Sequence, residues 1–299
     1  MAHHQHARAH RTTPVRRAAG RAVVALETTL LAQGLPKGQG LPLARELDAI
    51  ITSHGATPAT IGVLDGTPIV GMTHDELARL LDAPTIHKAN IANLGPLIYQ
   101  RATAATTVSA TVALAASVGI RVMATGGLGG LHPNLAQHLD ISPDLMALAT
   151  HPVAVVCSGV KAILDVAGTR ELLETLGVPV LGFRTNTFPA FYLTHSDASV
   201  DATFDDADDL ARFASRHLAQ HGTGVLVVQP VPAEHAIEPD QWSQWLEAAR
   251  ALAGTARGRD ATPALLDALH RVSQGRTLES NLALVRANAA LAAQIAAAG

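Results

Sequence analysis

The sequence predicts an α/β fold, and three observations predict it. Short runs that are apolar throughout recur along the chain, a glycine-bearing turn follows them, and a longer segment with the apolar period of a helix comes next. A run apolar at every position suits a strand covered on both faces, because a strand with one wet face alternates. Strand and helix patterns that alternate along a chain point to a layered α/β architecture.

The strand candidates in order are AVVAL (22–26), ATIGVL (59–64), IRVMAT (120–125), VAVVC (153–157), VPVLGF (178–183) and GVLVVQP (224–230). The helix candidates between them are LPLARELDAIITSHG (41–55), THDELARLLDA (73–83), TTVSATVALAASVG (106–119), SPDLMALATH (142–151), VKAILDVAGTRELLETLG (160–177) and DDADDLARFASRHLAQHG (205–222). The stretch 240–299 reads as helical and closes on ESNLALVRANAALAAQIAAA. No internal repeat and no Pro-, Gly- or Ser-rich linker divides the chain. One compact domain over 21–299 is expected, after a disordered tail over 1–20 that contains His3, His4, His6 and His10. Those histidines suit a solvated tail or the capture of stray metal.

Composition narrows the function. With 48% hydrophobic and 16% charged residues, 299 residues are ample for a full core. A formal charge of −3 provides no basic face, and five Phe, two Tyr and two Trp provide few platforms for bases, so nucleic-acid binding is disfavoured. No apolar run approaches the ~20 residues that span a bilayer, and the N-terminus has no apolar signal core, so neither a membrane span nor a signal peptide is expected. A single cysteine, Cys157, excludes an internal disulfide and suits a reducing cytoplasm. At the end of an apolar run it reads as a packing residue or as a reactive thiol.

Four stretches carry chemistry. In VALETTLLAQGLP (24–36) a buried strand ends on Glu27, at the strand end where α/β proteins bind ligands. Desolvated there, a carboxyl group has a raised pKa and suits a general acid; the bland alternative is a cap or a surface carboxylate. In RVMATGGLGGLHPN (121–134) Thr125, Gly126 and Gly127 lead to Gly129, Gly130 and His132, a string suited to a phosphate cradle or to a tight connection. In HLDISPDLMALA (138–149) Ser142 reads as an N-cap with Pro143 after it, which places Asp144 in a first helical turn. Asp140 precedes that cap and has no such explanation; a hard cation held by one carboxylate, waters and substrate oxygens uses such a residue. In PVAVVCSGVKAILD (152–165) Lys161 stands where a buried strand meets a helical pattern. Burial and the positive end of a helix both disfavour the ammonium there, which suits a nucleophilic amine; a snorkelling lysine is the alternative. Lys88, in TIHKANIANLG, suits a phosphate counter-charge, and Asn281 is a polar residue, or a cap, at the start of an apolar helix.

In order, VALETT…QGLP, GATPATIGVLDG, ATTVSATVALAASVGIRVMATGGLGGLH, DISPDL, VVCSGVKAILD, ETLGVPVLGF, PAF and TPALL…TLESN…LVRANAALAAQIA run from about residue 22 to 296. Together they resemble the pseudouridine-5′-phosphate glycosidase family, also called the indigoidine synthase A-like family. The resemblance implies a three-layer α/β/α domain, a homotrimer, and a divalent metal, usually Mn²⁺. It implies cleavage of the C–C glycosidic bond of pseudouridine 5′-phosphate to uracil and ribose 5-phosphate. By that match Lys161 forms an imine with C1′ of the ring-opened sugar, Glu27 donates the proton and Asp140 ligates the metal. Substrate contacts map onto Lys88, Val108, Ser142, Asp144 and Thr125–Gly127, with His132 and Asn281 near the pocket.

Three departures stand out. Gln33 replaces the histidine of an S-H-G pattern, HPN replaces HRG after the glycine turn, and KANIANL lacks both arginines of K-x-S-R-R-D. The missing arginines bear on phosphate recognition and on the choice of substrate. Two alternatives therefore stand beside the leading one: a glycosidase or lyase on another ribosyl phosphate, and a sugar-phosphate-binding protein without turnover. Retention of Glu27, Asp140 and Lys161 together separates the enzyme readings from the last.

Overall fold

All six predicted strands form, because each is a short apolar run that only a two-sided burial satisfies. The computed structural model describes residues 22–133, 139–253 and 261–299; the tail expected over 1–20, with its four histidines, lies outside them. The predicted strands are β1 (Val23–Leu26), β2 (Thr57–Leu64), β6 (Val122–Ala124), β7 (Ala154–Cys157), β8 (Val180–Phe183) and β10 (Val225–Val228). Four further short strands were not anticipated: β3 (Thr67–Val70), β4 (His87–Ala89), β5 (Ala104–Thr106) and β9 (Ala202–Phe204). At three or four residues each, they carry too little pattern for a period to show. β3 did have a signal, because Asp65 and Gly66 both take positive φ and close a two-residue hairpin from β2.

The strands order as β4-β5-β2-β1-β6-β7-β10-β8-β9, with β3 also paired to β2. From β2 through β9 along that order every pair is parallel; β3 and β5 run antiparallel to β2. The result is a mixed, parallel-rich sheet flanked by helices. Parallel β1, β6 and β7 necessarily point their C-terminal ends the same way, which brings Glu27, Thr125 and the segment after Cys157 to one rim.

The predicted helices appear at Gly40–Ser53, His74–Leu81, Val108–Ser117, Pro143–Thr150 and Ala207–Gln220, and the C-terminal region holds Pro239–Ala253, Ala261–Val272 and Arg276–Ala298. One prediction needs correction. The helix expected over 160–177 is Val166–Thr175, capped by the Asp165 carboxylate, which accepts from Gly168 N–H at 2.9 Å. Residues 160–165 form an irregular segment with a turn closed by Leu164 N–H donating to Lys161 O, and in it Lys161 N–H donates to Leu128 O. Cys157 is fully buried and its thiol is pushed up to about 12 by burial, so it is a packing residue. Among the described residues no helix is long and apolar enough to cross a membrane.

The long helix Arg276–Ala298 lies against β1, β6 and β7. Its buried face is rich in alanine, which permits close approach to the sheet, and it carries one fully buried amide, Asn288. Asn288 Nδ2 donates to Thr125 O at 2.8 Å and Gly126 O at 3.3 Å; its Oδ1 accepts from Gln229 Nε2 at 3.0 Å and Ser158 Oγ at 3.3 Å. One side chain thus joins the helix to the residues that follow β6, β7 and β10. Leucine at this position takes the amide partner from the buried Thr125 carbonyl and Ser158 hydroxyl, and a buried orphan of this kind costs about 1–3 kcal/mol. Asn288→Leu is therefore expected to lower unfolding free energy by about 3 kcal/mol in urea titration, well beyond an isosteric core swap.

Candidate active site

At the rim of β1, β6 and β7 the chain encloses a cavity of about 490 Å³ lined by Glu27, Lys88, Thr125, Gly126, Gly127, Lys161 and Asn281 among others. Seven of the residues singled out in the sequence therefore meet in one place. They come from the ends of three strands, the edge strand β4 and the start of the C-terminal helix.

Each side chain is positioned by local chemistry. Glu27 follows β1, and the two threonines after it staple that strand end to its neighbours. Thr28 Oγ1 donates to Ile61 O at 2.9 Å and accepts from Thr106 N–H at 2.8 Å, while Thr29 Oγ1 donates to Thr106 O at 2.8 Å. Because β5 carries Thr106 and pairs with β4, this network also sets the distance between Glu27 and Lys88. The Thr125 hydroxyl donates a short hydrogen bond to Glu27 Oε1. Burial nevertheless holds the Glu27 carboxyl above the usual carboxylate range, outweighing the Thr125 bond and the nearby Lys161 and Lys88; Asp144 pushes the same way as burial. Lys88 is held below the usual lysine range, by burial first and by Lys161 second. Among the described residues the Lys161 side chain has no hydrogen-bond or ion-pair partner, while its backbone N–H donates to Leu128 O. The helix macrodipole expected to act on it is out of reach, since helix 166–175 starts five residues later.

The glycine string differs from a full anion nest. Leu128 N–H donates to Gly159 O and Gly129 N–H to Asp144 Oδ2, and Leu131 N–H is taken by Thr169 Oγ1. The amides of Gly126 and Gly127 have no partner among the described residues and line the cavity. None of these four glycines has positive φ. They are required for close approach: a Cβ on Gly129 would lie 2.8 Å from Ser142 Cβ, and one on Gly130 would lie 2.7 Å from Val160 Cγ2.

The other predicted residues form a second group along the far limb of that loop and do not line the cavity. Asp144 is buried, and its two carboxylate oxygens accept from Ser109 N–H at 2.9 Å and Gly129 N–H at 3.0 Å. It therefore clamps the glycine loop to the helix that opens at Val108, besides stabilising its own helix start. Ser142 caps Asp144 N–H at 3.2 Å, as its sequence context requires. Asp140 is exposed and faces His132, with Nε2 to Oδ2 3.8 Å. Among the described residues no three His, Cys, Asp or Glu side chains gather as a metal cage. The donor set here fits a hard cation that takes the Asp140 carboxylate and completes its sphere with water and substrate oxygens.

Sequence reasoning missed several cavity residues. His270 lies in the last turn of helix 261–272, and Phe191 and Tyr192 lie on the loop after β8. Each stands in a segment whose pattern is only that of a helix end or a turn. Gln33 and Leu35 also line the cavity and follow directly from the ETT stretch. On either side of Ile91 and Ala92, which stand where the arginines are missing, Asn90 and Asn93 close a turn on each other: Asn90 N–H donates to Asn93 Oδ1 at 2.7 Å and Asn93 N–H to Asn90 Oδ1 at 3.1 Å.

Comparison with known proteins shows the family of the chain. The family model described as "Indigoidine synthase A like protein" matches residues 15–298. The pseudouridine-5′-phosphate glycosidase of Symbiobacterium thermophilum is 43% identical over 285 residues, 93% of this chain and 92% of that protein. The enzyme of the same name from Streptomyces griseus is 46% identical over 285 residues, 93% of this chain and 88% of its own. Among solved structures, an indigoidine synthase A-like protein of Thermotoga maritima superposes with a TM-score of 0.88 at 34% identity, covering 99% of this chain and 98% of that one. The prealnumycin C-glycosynthase AlnA, solved with ribulose 5-phosphate, superposes with a TM-score of 0.85 at 33% identity, covering 93% and 91%.

A carboxyl group whose folded pKa lies above its ordinary value of 4.5 makes folding less favourable as pH rises through that folded value. Glu27→Gln removes the ionisation. The variant is expected to melt higher than the parent at pH 8, with the difference shrinking toward pH 4; scanning calorimetry across that range reads it.

Proposed function

The chain belongs to the indigoidine synthase A-like family, and from that premise we propose that it cleaves the C–C glycosidic bond of pseudouridine 5′-phosphate, releasing uracil and ribose 5-phosphate. The observation that carries the reading is the Glu27 carboxyl group, held by Thr125 and raised in pKa by desolvation, lining the same cavity as a lysine whose side chain has no hydrogen-bond partner. A carbon leaving group needs a proton delivered to carbon, and Glu27 is the residue built to hold one.

The steps balance on this chain's own residues. The Lys161 amine attacks C1′ of the sugar, the C1′–O4′ bond opens, and O4′ takes the proton that the lysine nitrogen releases on forming its bond to C1′. Glu27 then protonates the base at the carbon bonded to C1′. The nitrogen lone pair expels the base with the electron pair of the C–C bond, leaving an iminium between C1′ and Lys161. Water hydrolyses that iminium, which frees ribose 5-phosphate and the lysine. The Gly126 and Gly127 amides and Lys88 offer donors to the anionic end of the substrate. Asp140 would hold the divalent cation that the family uses, usually Mn²⁺; when bound, such an ion supplies positive charge to substrate oxygens. Val108, at the first position of its helix, has an amide with no intrahelical acceptor to use, and with Ser142, Asp144 and His132 it frames that side. Homotrimeric assembly and a cytoplasmic location belong to the same reading; the single, buried, free Cys157 supports the latter.

One observation favours a second substrate. Ile91 and Ala92 occupy the positions of the family's arginines, which leaves the turn after Lys88 without cationic side chains. A different ribosyl phosphate would fit the same chemistry.

Borohydride reduction in the presence of ribose 5-phosphate and Mn²⁺ is expected to leave a stable adduct on Lys161, located by mass mapping. An adduct on another lysine, or none, refutes the mechanism. Lys161→Ala is expected to abolish uracil release, by about four orders of magnitude or more, with an unchanged melting temperature. Parallel assays on pseudouridine and its 5′-phosphate read the effect of the altered turn; the phosphate is expected to be preferred.

A further inference from the structure

Phe191 lines the cavity and has a backbone φ of 59°, a conformation that a bulky residue adopts only when its surroundings impose it. Several contacts impose it. Phe191 N–H donates to Ser158 O at 2.8 Å, Gly159 bridges to Ala190, Ala190 pairs with Leu193, and the ring meets Tyr192 edge-on at 4.7 Å. Strain held in this way is commonly found where a side chain must be aimed.

The aim is legible in the glycines. A Cβ placed on Gly127 would lie 2.5 Å from Phe191 Cε2, so the ring occupies the space a side chain there would need. A Cβ on Gly126 would still touch the same ring atom at 3.5 Å. The backbones are locked in series as well: Ser158, which accepts from Phe191, donates its own N–H to Gly126 O at 3.0 Å. Asn288 grips the Thr125 and Gly126 carbonyls from the long helix. The turn between Thr125 and Leu128 is therefore held on one side by an amide and on the other by an aromatic wedge.

We propose that Phe191 is a positioning residue that sets where the Gly126–Gly127 turn lies, and through it where the Thr125 hydroxyl meets Glu27. The proposal rests on the reading of Glu27 as the proton donor. The groups that face Glu27 are Thr125, Lys161, Lys88 and Asp144. Of these, Thr125 is the one borne by the turn against which the Phe191 ring packs. Loss of its hydrogen bond removes a stabilising partner from the carboxylate and moves ionisation to higher pH.

Three variants test this: Phe191→Gly, which removes both ring and strain; Phe191→Leu, which keeps bulk; and Gly127→Ala, which pushes on the turn without opening the core. Phe191→Gly and Gly127→Ala are expected to lower kcat by about tenfold or more with little change in KM, and to move the alkaline limb of kcat upward by roughly half a pH unit or more. Phe191→Leu should fall between. The double variant Gly127→Ala/Phe191→Gly should regain part of the loss of Phe191→Gly, because the new methyl group enters the vacated space. An alkaline limb that stays in place in Gly127→Ala and Phe191→Gly overturns the proposal, whatever happens to their melting temperatures. If Phe191→Gly does not fold, Gly127→Ala alone decides by the same criterion. Should the parent protein release no uracil, the function fails on its own account; carbon-13 titration of Glu27 in the ligand-free variants then decides, an unshifted carboxyl group refuting the role of Phe191 and an upward shift supporting it.

Discussion

A single buried amide organises this molecule. Asn288 reaches from the middle of the C-terminal helix to two carbonyls after β6, a hydroxyl after β7 and the Gln229 amide after β10. Parallel strands end in unpaired carbonyls and amides, and when a helix covers those ends no water is there to satisfy them. Asn288 supplies both a donor and acceptors to that covered edge. The loops that carry Thr125 and Ser158 consequently leave the sheet in one arrangement, and the cavity at their rim inherits that arrangement.

The charge balance of the site follows from the same burial. Glu27 stands beside two lysines, which by Coulomb attraction alone would favour its carboxylate. Desolvation outweighs them and holds the carboxyl group in the proton-bearing direction. Lys88 is moved toward its neutral form by the same cause and by Lys161. A carboxyl group moved toward its protonated form and an amine side chain without a hydrogen-bond partner thus line one cavity, the arrangement on which the proposed cleavage rests. Asp144 has a different part. It is buried, and its carboxyl oxygens accept two backbone N–H groups, which makes it a fixed brace for the glycine loop.

The glycine string illustrates how one feature can be read correctly as important and wrongly as to cause. Its residues suggested an anion nest, in which the conformational freedom of glycine turns amides inward. In the structure none of Gly126, Gly127, Gly129 and Gly130 uses that freedom. What they supply is absence of a side chain, since Phe191, Ser142, Val160 and Thr169 press into the spaces where Cβ atoms would be. The Gly126 and Gly127 amides, which line the cavity without a partner among the described residues, keep the binding capacity the sequence suggested.

The sequence by itself determined the six apolar strands and the main helices, because two-sided burial and helical period are written locally in residue order. It also pointed to residues that meet at one cavity, since Glu27, Thr125 and Lys161 each follow an apolar run and a run that ends must surface at a sheet rim. Tertiary structure alone decided the rest. Lys161 stands clear of the helix that residue pattern attached to it, because Asp165 caps that helix later and residues 160–165 pair with the glycine loop instead. β4 and β5 exist only because β2 offers them an edge, and Asn288, Phe191 and His270 acquired their places from segments far away in the chain. Short strands, a lone buried amide and a strained aromatic leave no period in the sequence, for their stability comes from partners that only the folded chain brings within reach.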